Sequence, residues 1–388
     1  MARYFPKRIL IDNRVKDSRL THTLMGKLSS IPVEYVDDPA MVIEEMKKRE
    51  NPLQEGKRIL LLTENRGRFL KPCPGTKEYI CCGYQILNFA TNCNMECSYC
   101  ILQAYINNPV LIVYANTDKM FMELEERLNK RPETLFRIGT GEFTDSLTLD
   151  HLISFSDLIV PYFAGKKNAV LELKTKTDNV ENLLDLEHNG NTIIAWSLNT
   201  QKVAIKEELL APSIDDRLDA ALRCQNNGFF LAFHFDPLIY YKGWEEGYKR
   251  TLDRLFANLN PKSVKWISMG CFRFVPELKP IIQKRFPLST IVYGEFVPGL
   301  DGKMRYYKPI RIEMYSKMVE WLKEYDPDLR VYLCMESHEV WKRVFTDNRI
   351  KSSQDLARML EAKGVYKRED NQKKFTDRKR KGKTVRAF

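Results

Sequence analysis

Three thiols stand close together in TNCNMECSYC: Cys93, Cys97 and Cys100, spaced Cx3CxxC. Cysteine thiolates at short spacing are soft metal ligands. A structural zinc site takes four ligands in two paired groups, and a stable [4Fe–4S] cluster takes four cysteines. No fourth cysteine follows nearby. Three cysteines leave one iron of a [4Fe–4S] cluster without a protein ligand, and an open iron is a place for a substrate or cofactor to bind.

Composition narrows where such a centre could work. The chain has 388 residues, 44% hydrophobic and 29% charged. No apolar run approaches the ~18 residues of a membrane span, so it reads as soluble and globular, long enough for two or three domains. The opening MARYFPKRIL has no apolar signal core, and a cytoplasmic location is expected. Nine cysteines in a chain that is not exported argue for metal or redox chemistry over disulfides. The net charge of +11 is uneven, with +7 of it in residues 367–388. A tail so basic is expected to be disordered and to adhere to any polyanion, which makes it weak evidence for a specific nucleic-acid site.

Stepping outward from the thiols, the pattern divides the chain into three parts. Residues 1–70 read as a small α/β unit, with strand-like RILID, VEYV and RILLLT around helical HTLMGKL and AMVIEEMKK. Residues 71–350 alternate strand candidates with helices: YQILNFAT, LIVYA (111–115), LFRIG (135–139), VLELKT (170–175), IIAWSLN (193–199), FFLAFHFDP (229–237) and VKWISM (264–269). Short β-branched runs alternating with helices predict a parallel sheet covered on both faces, here a partial (β/α)6 barrel. In such a barrel the loops after the strands carry the chemistry, and the three cysteines follow the first strand. Residues 351–388 form the basic tail.

Cx3CxxC after a strand in this repeated pattern resembles the radical S-adenosylmethionine superfamily. The resemblance implies that the open iron chelates the amino and carboxylate groups of S-adenosylmethionine. The reduced cluster then cleaves it to a 5′-deoxyadenosyl radical that abstracts hydrogen, with electrons from a donor such as flavodoxin or ferredoxin. It also implies cofactor contacts. Tyr99 would pack on the adenine, and Gly141 and Glu142, in GTGE at 139–142, would bind the ammonium through a backbone edge and a carboxylate. Lys176 would pair with the cofactor carboxylate, while Ser197 and Asn199 end the next strand at the same mouth. Taken singly, each has an ordinary role as loop packing, a turn or a satisfied polar group.

The order of CSYCILQ, TDSLTLDHL (144–152), LLDLEHNGNT (183–192), SLN (197–199), SIDDRLDAA (213–221), GWEEGY (243–248) and GKMRYYKP (302–309) is similar to that of the spore photoproduct lyase family, from the N-terminal unit to about residue 335. This implies repair of a methylene-bridged thymine dimer in ultraviolet-damaged DNA. The radical takes hydrogen from the lesion, the bridge breaks, and a protein thiol returns hydrogen to the product. A monomer is expected. Alternatives are a radical enzyme acting on another DNA lesion or an RNA base, and a nucleic-acid-binding protein with a structural cluster.

The sequence departs from that family at two positions. Bacillus-type members carry the donor cysteine where this chain has Glu142, and a tyrosine where it has Ile101. A carboxylate cannot give up a hydrogen atom as a thiol does. Cys73, in KPCPGTK, is the favoured donor, with Cys81 and Cys82 as alternatives; the three could instead ligate a second cluster. Tyr99 is a candidate hydrogen relay. Cys224, Cys271 and Cys334 sit in apolar contexts and are expected in the core. The resemblance further implies that DGKMRYYKP forms a basic hairpin tip, with Lys303, Arg305 and Tyr306 contacting DNA and Tyr307 beside them. Arg66 and Arg68 are candidate phosphate contacts, and His234 with Asp236 candidate lesion contacts.

Overall fold

The computed structural model describes residues 3–28, 31–75, 78–347 and 349–361. Its first sheet has the order Val33–Val36, Arg8–Asp12, Ile59–Thr63, Leu111–Tyr114, Ala90–Thr91, the first four parallel and the last antiparallel. Alternation along these strands sorts the apolar residues to two faces. Ile9, Ile11, Leu60, Leu62 and Val113 join the large core, while Leu10, Leu61 and Ile112 pack with Met46 in a smaller cluster on the opposite face.

Leu111–Tyr114 was expected in the barrel; it pairs instead with Ile59–Thr63. A short, wholly apolar run satisfies any parallel sheet buried on both faces, so composition does not say which one it enters. Because 90–91 and 111–114 complete the first sheet, the two units interleave in sequence. The segment carrying the cysteines leaves the first sheet at Thr91 and returns to the same sheet at Leu111, between two strands that pair with each other.

The second sheet runs Val331–Leu333, Val264–Cys271, Phe230–Leu238, Thr192–Ser197, Ala169–Thr175, Phe136–Gly139, Gln85–Leu87, Leu70–Pro72. All neighbours are parallel except the last pair. From Gln85 onward, spatial order follows chain order, so each crossover helix adds one strand to a mixed α/β fold with a curled parallel sheet. Thr192–Ser197 and Val264–Cys271 are buried along their whole length. Crossover helices such as Ile214–Asn226, started by a Ser213/Asp216 capping box, cover the sheet. A single core cluster spans both sheets.

Past the sixth of these parallel strands, Phe296–Pro298 and Met304–Tyr306 form an antiparallel hairpin, with Arg273–Phe274 on its other side. The tail expectation needs a correction at its start. Ser353–Glu361 is a helix whose Leu356 and Leu360 are buried, because its apolar spacing seats one face on the core. The basic stretch 367–388 lies outside the described residues. Among the described residues no helix is long and apolar enough to cross a membrane.

Candidate active site

The loop after Gln85–Leu87 is held from several directions. Glu96–Cys97 pairs antiparallel with Glu208–Leu209, and the Ser98 amide donates to the Glu207 carbonyl at 2.8 Å. Gln103 Nε2 donates to the carbonyls of Cys97, Ser98 and Cys100 at 2.9–3.3 Å, and Lys57 Nζ to that of Met95 at 2.5 Å. These bonds satisfy carbonyls that an irregular loop would otherwise leave bare.

Cys93, Cys97 and Cys100 line one cavity of about 190 Å³. Gly141 and Glu142 after one strand, Lys174 and Lys176 from the next, and Ser197 at the end of the third line it with them. His234 and Asp236 close the far wall. The mouth therefore gathers most of the residues that the sequence singled out. Gly141 is required by packing: a Cβ there would meet the Lys174 Cβ at 2.6 Å. At Gly139 a Cβ would fall 1.6 Å from the Tyr84 hydroxyl. The two glycines of GTGE thus let neighbouring chain close on the turn.

The walls are charged in pairs. Lys174 Nζ donates to Glu142 Oε1 at 2.5 Å, His234 Nε2 lies 2.6 Å from Glu172 Oε1, and Arg273 donates to Asp236 at 3.2 Å. Burial opposes the charge on Lys174, but Glu142 and then Glu172 outweigh it and raise the pKa. Burial likewise opposes the Asp236 carboxylate, and Arg273 beside it prevails and lowers its pKa. Asp145 accepts from Lys176 N at 2.7 Å, Thr175 Oγ1 at 2.8 Å and the amides of Leu147 and Thr148 at 3.0 Å, which fixes the turn after GTGE.

Tyr99 lines the cavity, and its hydroxyl donates to the buried carboxylate of Glu208, itself 2.7 Å from Arg217. Lys176 Nζ lies 5.6 Å from the Tyr99 ring centroid. The donor chemistry suits an iron–sulfur cluster: three thiols line the cavity, with no carboxylate or imidazole between them in the sequence except the ion-paired Glu96. Burial pushes the Cys97 thiol up to about 12, opposed by Lys176. Metal coordination would have to supply the stabilisation that makes it a thiolate.

Several expectations change. Asn199 does not line the cavity; it is 1% exposed, donating to the Pro237 carbonyl at 2.9 Å and accepting from the Tyr248 hydroxyl at 2.7 Å. A strand-end position was read as facing the mouth, but Asn199 turns inward to satisfy the neighbouring loop. Cys73 also lies outside the cavity lining and is half-buried; burial raises its pKa first, and Glu142 is close enough to raise it further. Cys224 and Cys271 are buried, whereas Cys334 is half-buried and accepts from Arg273 at 3.6 Å.

The hairpin is present, but not as a tip of free cations. Arg305 is 2% exposed, donating to Asp301 at 2.8 Å and to the Met335 carbonyl at 3.2 Å, with its guanidinium over the Tyr79 ring. Tyr306 is buried against Phe296 and Tyr240. Lys303 is half-buried, 3.5 Å from Asp301, and Tyr307 is exposed. Adjacent residues of a strand point to opposite faces, and here both faces are covered, Arg305 by Asp301 and the Tyr79 ring, Tyr306 by the Phe296 and Tyr240 rings. Arg66 is exposed and paired with Glu64 at 3.0 Å, and Arg68 is exposed.

Lys174 was missed by sequence reasoning although Lys176 was found. The two are separated by one residue, Thr175, in VLELKTKT, and period-two alternation puts both on the mouth side. Met95 and Asp145 also join the cavity, without a sequence signal of their own.

The sequence pattern of the family described as spore photoproduct lyase matches residues 78–324. Spore photoproduct lyase of Bacillus subtilis is 25% identical over 312 residues, 79% of this chain and 87% of that protein. The Geobacillus enzyme is 28% identical over 249 residues, 63% of this chain and 71% of that one. Among solved structures, a cysteine-to-alanine variant of spore photoproduct lyase superposes with a TM-score of 0.77 at 23% identity, covering 86% of this chain and all of that one. A related double variant, with bound AdoMet and dinucleoside spore photoproduct, gives 0.75 at 22% identity over the same shares. The fold thus matches at low identity, while the family pattern covers most of the chain: this protein belongs to the spore photoproduct lyase family.

Proposed function

We propose that this chain is a radical S-adenosylmethionine lyase that reverses the methylene-bridged thymine dimer in ultraviolet-damaged DNA. The observation that carries the reading is the convergence of Cys93, Cys97 and Cys100 with Gly141, Lys176 and Ser197 on one cavity, in a chain of this family. The curled sheet is read as a partial (β/α)6 barrel of the radical enzyme type, and an electron donor such as flavodoxin or ferredoxin as its partner.

In this reading the three cysteines hold a [4Fe–4S] cluster. When bound, that cluster and S-adenosylmethionine supply the one-electron chemistry that removes a hydrogen atom from the lesion. The chain's residues position and exclude. Lys176 takes the cofactor carboxylate, and Tyr99 provides an apolar face; its hydroxyl is committed to Glu208, so the relay role expected of it lacks support. The carbonyl oxygens and imide N–H of a thymine fit a wall of paired charges, with Lys174, His234 and Asp236 facing inward. At the hairpin, Tyr307 is the exposed group for DNA, Lys303 lies half-buried beside Asp301, and Arg305 with Tyr306 brace the turn.

Glu142 cannot return the hydrogen atom, so a thiol must come from elsewhere. Cys73 is the proposed donor. Burial, then Glu142 and Cys82, push its pKa up to about 12, which keeps the S–H intact at neutral pH. An intact S–H is the form a hydrogen-atom donor needs.

The test is anaerobic reaction of reconstituted protein with dinucleoside spore photoproduct, S-adenosylmethionine and dithionite, with products read by mass spectrometry. Repair to thymidylyl-thymidine is expected; cofactor cleavage without lesion loss overturns the reading. Cys73→Ala should retain cofactor cleavage while product shifts from thymine to sulfinate adducts. Clean thymine from Cys73→Ala, with adducts from Cys81→Ala, Cys82→Ala or Cys334→Ala, moves the donor role to that cysteine.

A further inference from the structure

A second concavity lies beside the cysteine cavity and belongs to no part of the chemistry above. Its volume of about 500 Å³ exceeds the 190 Å³ of the cysteine cavity. Tyr240 and Tyr241 line it, directly after the strand Phe230–Leu238 that supplies His234 and Asp236 to the catalytic mouth. Lys202 and Lys206 line it from the helix Gln201–Glu207, which follows the strand ending at Ser197. The two concavities are linked through Glu207 and the cysteine loop. Glu207 lines the groove, and its carboxylate accepts from Ser98, between Cys97 and Tyr99, and from Ser289 at 2.6 Å.

The groove's lining is rigid where it is aromatic and exposed where it is cationic. The Tyr241 hydroxyl donates to Thr200 Oγ1 at 3.0 Å, and a Cβ at Gly247 would lie 2.1 Å from that hydroxyl, so the ring is clamped. The Tyr240 amide donates to the Tyr306 hydroxyl at 3.2 Å, while the Tyr240 ring remains 44% exposed. Lys202 and Lys206 are both exposed, four residues apart on one helical face, with Lys202 Nζ 4.4 Å from the Tyr241 ring centroid. Glu207 is already bonded, and Glu295 is the other acid among the described residues that line the groove. Fixed aromatic faces beside two solvated cations match a nucleotide: a base has a π-face to stack, and its phosphates are anionic.

We infer that this groove binds the nucleotides flanking the lesion on the damaged DNA strand, with a base stacked at Tyr240 and phosphates at Lys202 and Lys206. The inference rests on the reading of damaged DNA as substrate. It assigns the groove the task of holding the strand while the lesion occupies the cysteine cavity. A dinucleoside lesion, lacking flanking nucleotides, does not reach it.

The experiment compares two substrates in one enzyme: a short fluorescein-labelled oligonucleotide carrying the lesion, and the dinucleoside lesion. Lys202→Ala with Lys206→Ala should weaken oligonucleotide binding about tenfold and lower the slope of log affinity against log salt by about two. Tyr240→Ala should weaken binding by a similar factor while leaving the salt slope unchanged. Repair of the dinucleoside should fall far less than repair of the oligonucleotide in each variant. A charge-matched control, Lys130→Ala with Lys167→Ala, removes cations preceding the strands at 136 and 169, at the opposite end of the sheet. The inference is overturned if the control loses as much affinity as the groove variant, if neither loses any, or if both substrates fall together. Failure of the parent reading looks different: the unaltered enzyme then repairs neither substrate, while the oligonucleotide-binding measurements still report on the groove.

Discussion

The cysteine loop and the hairpin at 296–306 both drew attention by residue type, and the structure treats them differently. In the loop, the side chains that could do chemistry turn toward one cavity, and backbone carbonyls are tied down behind them by Gln103 and Lys57. In the hairpin, the most conspicuous cation, Arg305, turns away from solvent into an ion pair with Asp301 and a stack on Tyr79. A three-residue ligand pattern carries its own geometric requirement, since the thiols are useful only if they converge. A cation between aromatics carries none, and the same residues serve a surface or a buried brace equally well.

The sharpest way to break this contrast is at Cys97. Cys97→Ala should reduce iron in reconstituted protein from about four per chain to less than one and abolish repair, while leaving the fold intact by circular dichroism. Retained iron would mean that the three thiols are not the ligand set. Arg305→Ala tests the other region. Removing the guanidinium leaves Asp301, whose side chain is 6% exposed, without its main partner. Loss of a buried pair's partner costs about 3 kcal/mol, to be read as a lower urea midpoint. If the midpoint holds and only DNA affinity falls, the hairpin is a contact surface after all.

A smaller effect is expected at Lys176. Lys176→Ala should raise the concentration of S-adenosylmethionine needed for half-maximal activity about tenfold, the worth of one charge-assisted hydrogen bond, with iron content unchanged. The smallest effect is in acid. Burial opposes the Asp301 carboxylate, but Arg305 and Lys303 outweigh it and lower its pKa. A depressed carboxylate stabilises the fold above its unfolded value, near 4, and loses that contribution as pH falls through the folded value. The stability gap between the parent chain and Arg305→Ala should therefore narrow below about pH 4. A gap that is as wide at pH 3 as at pH 7 assigns the loss to packing on Tyr79 instead of charge.

Much of the sheet was legible because fully buried parallel strands read as unbroken apolar runs, as IIAWSLN and VKWISM do. What could not be read was membership. LIVYA obeys the same rule as its neighbours yet completes the first sheet, since partner choice is decided by the path of the cysteine loop between 91 and 111. At the site, the spacing of the cysteines and the strand-end positions of Lys176 and Ser197 brought them to the cavity. Asn199 shows the limit of that logic. Two residues beyond the strand end the backbone is free to turn, and a buried amide goes where unsatisfied groups await it. Lys174 is legible from the same alternation as Lys176, but its pairing with Glu142 is a contact between strands that spacing within one strand does not encode.

The short ladder between Glu96–Cys97 and Glu208–Leu209, with Arg217 locked beneath it, bears on the order in which the protein can be made. A nascent chain that has emerged only through its first two hundred residues displays all three thiols but lacks the strand and the guanidinium that fix their loop. Such a fragment would hold the same thiols without the pairing that shapes their loop, so the order of the cysteine segment belongs to the whole fold and not to the segment itself.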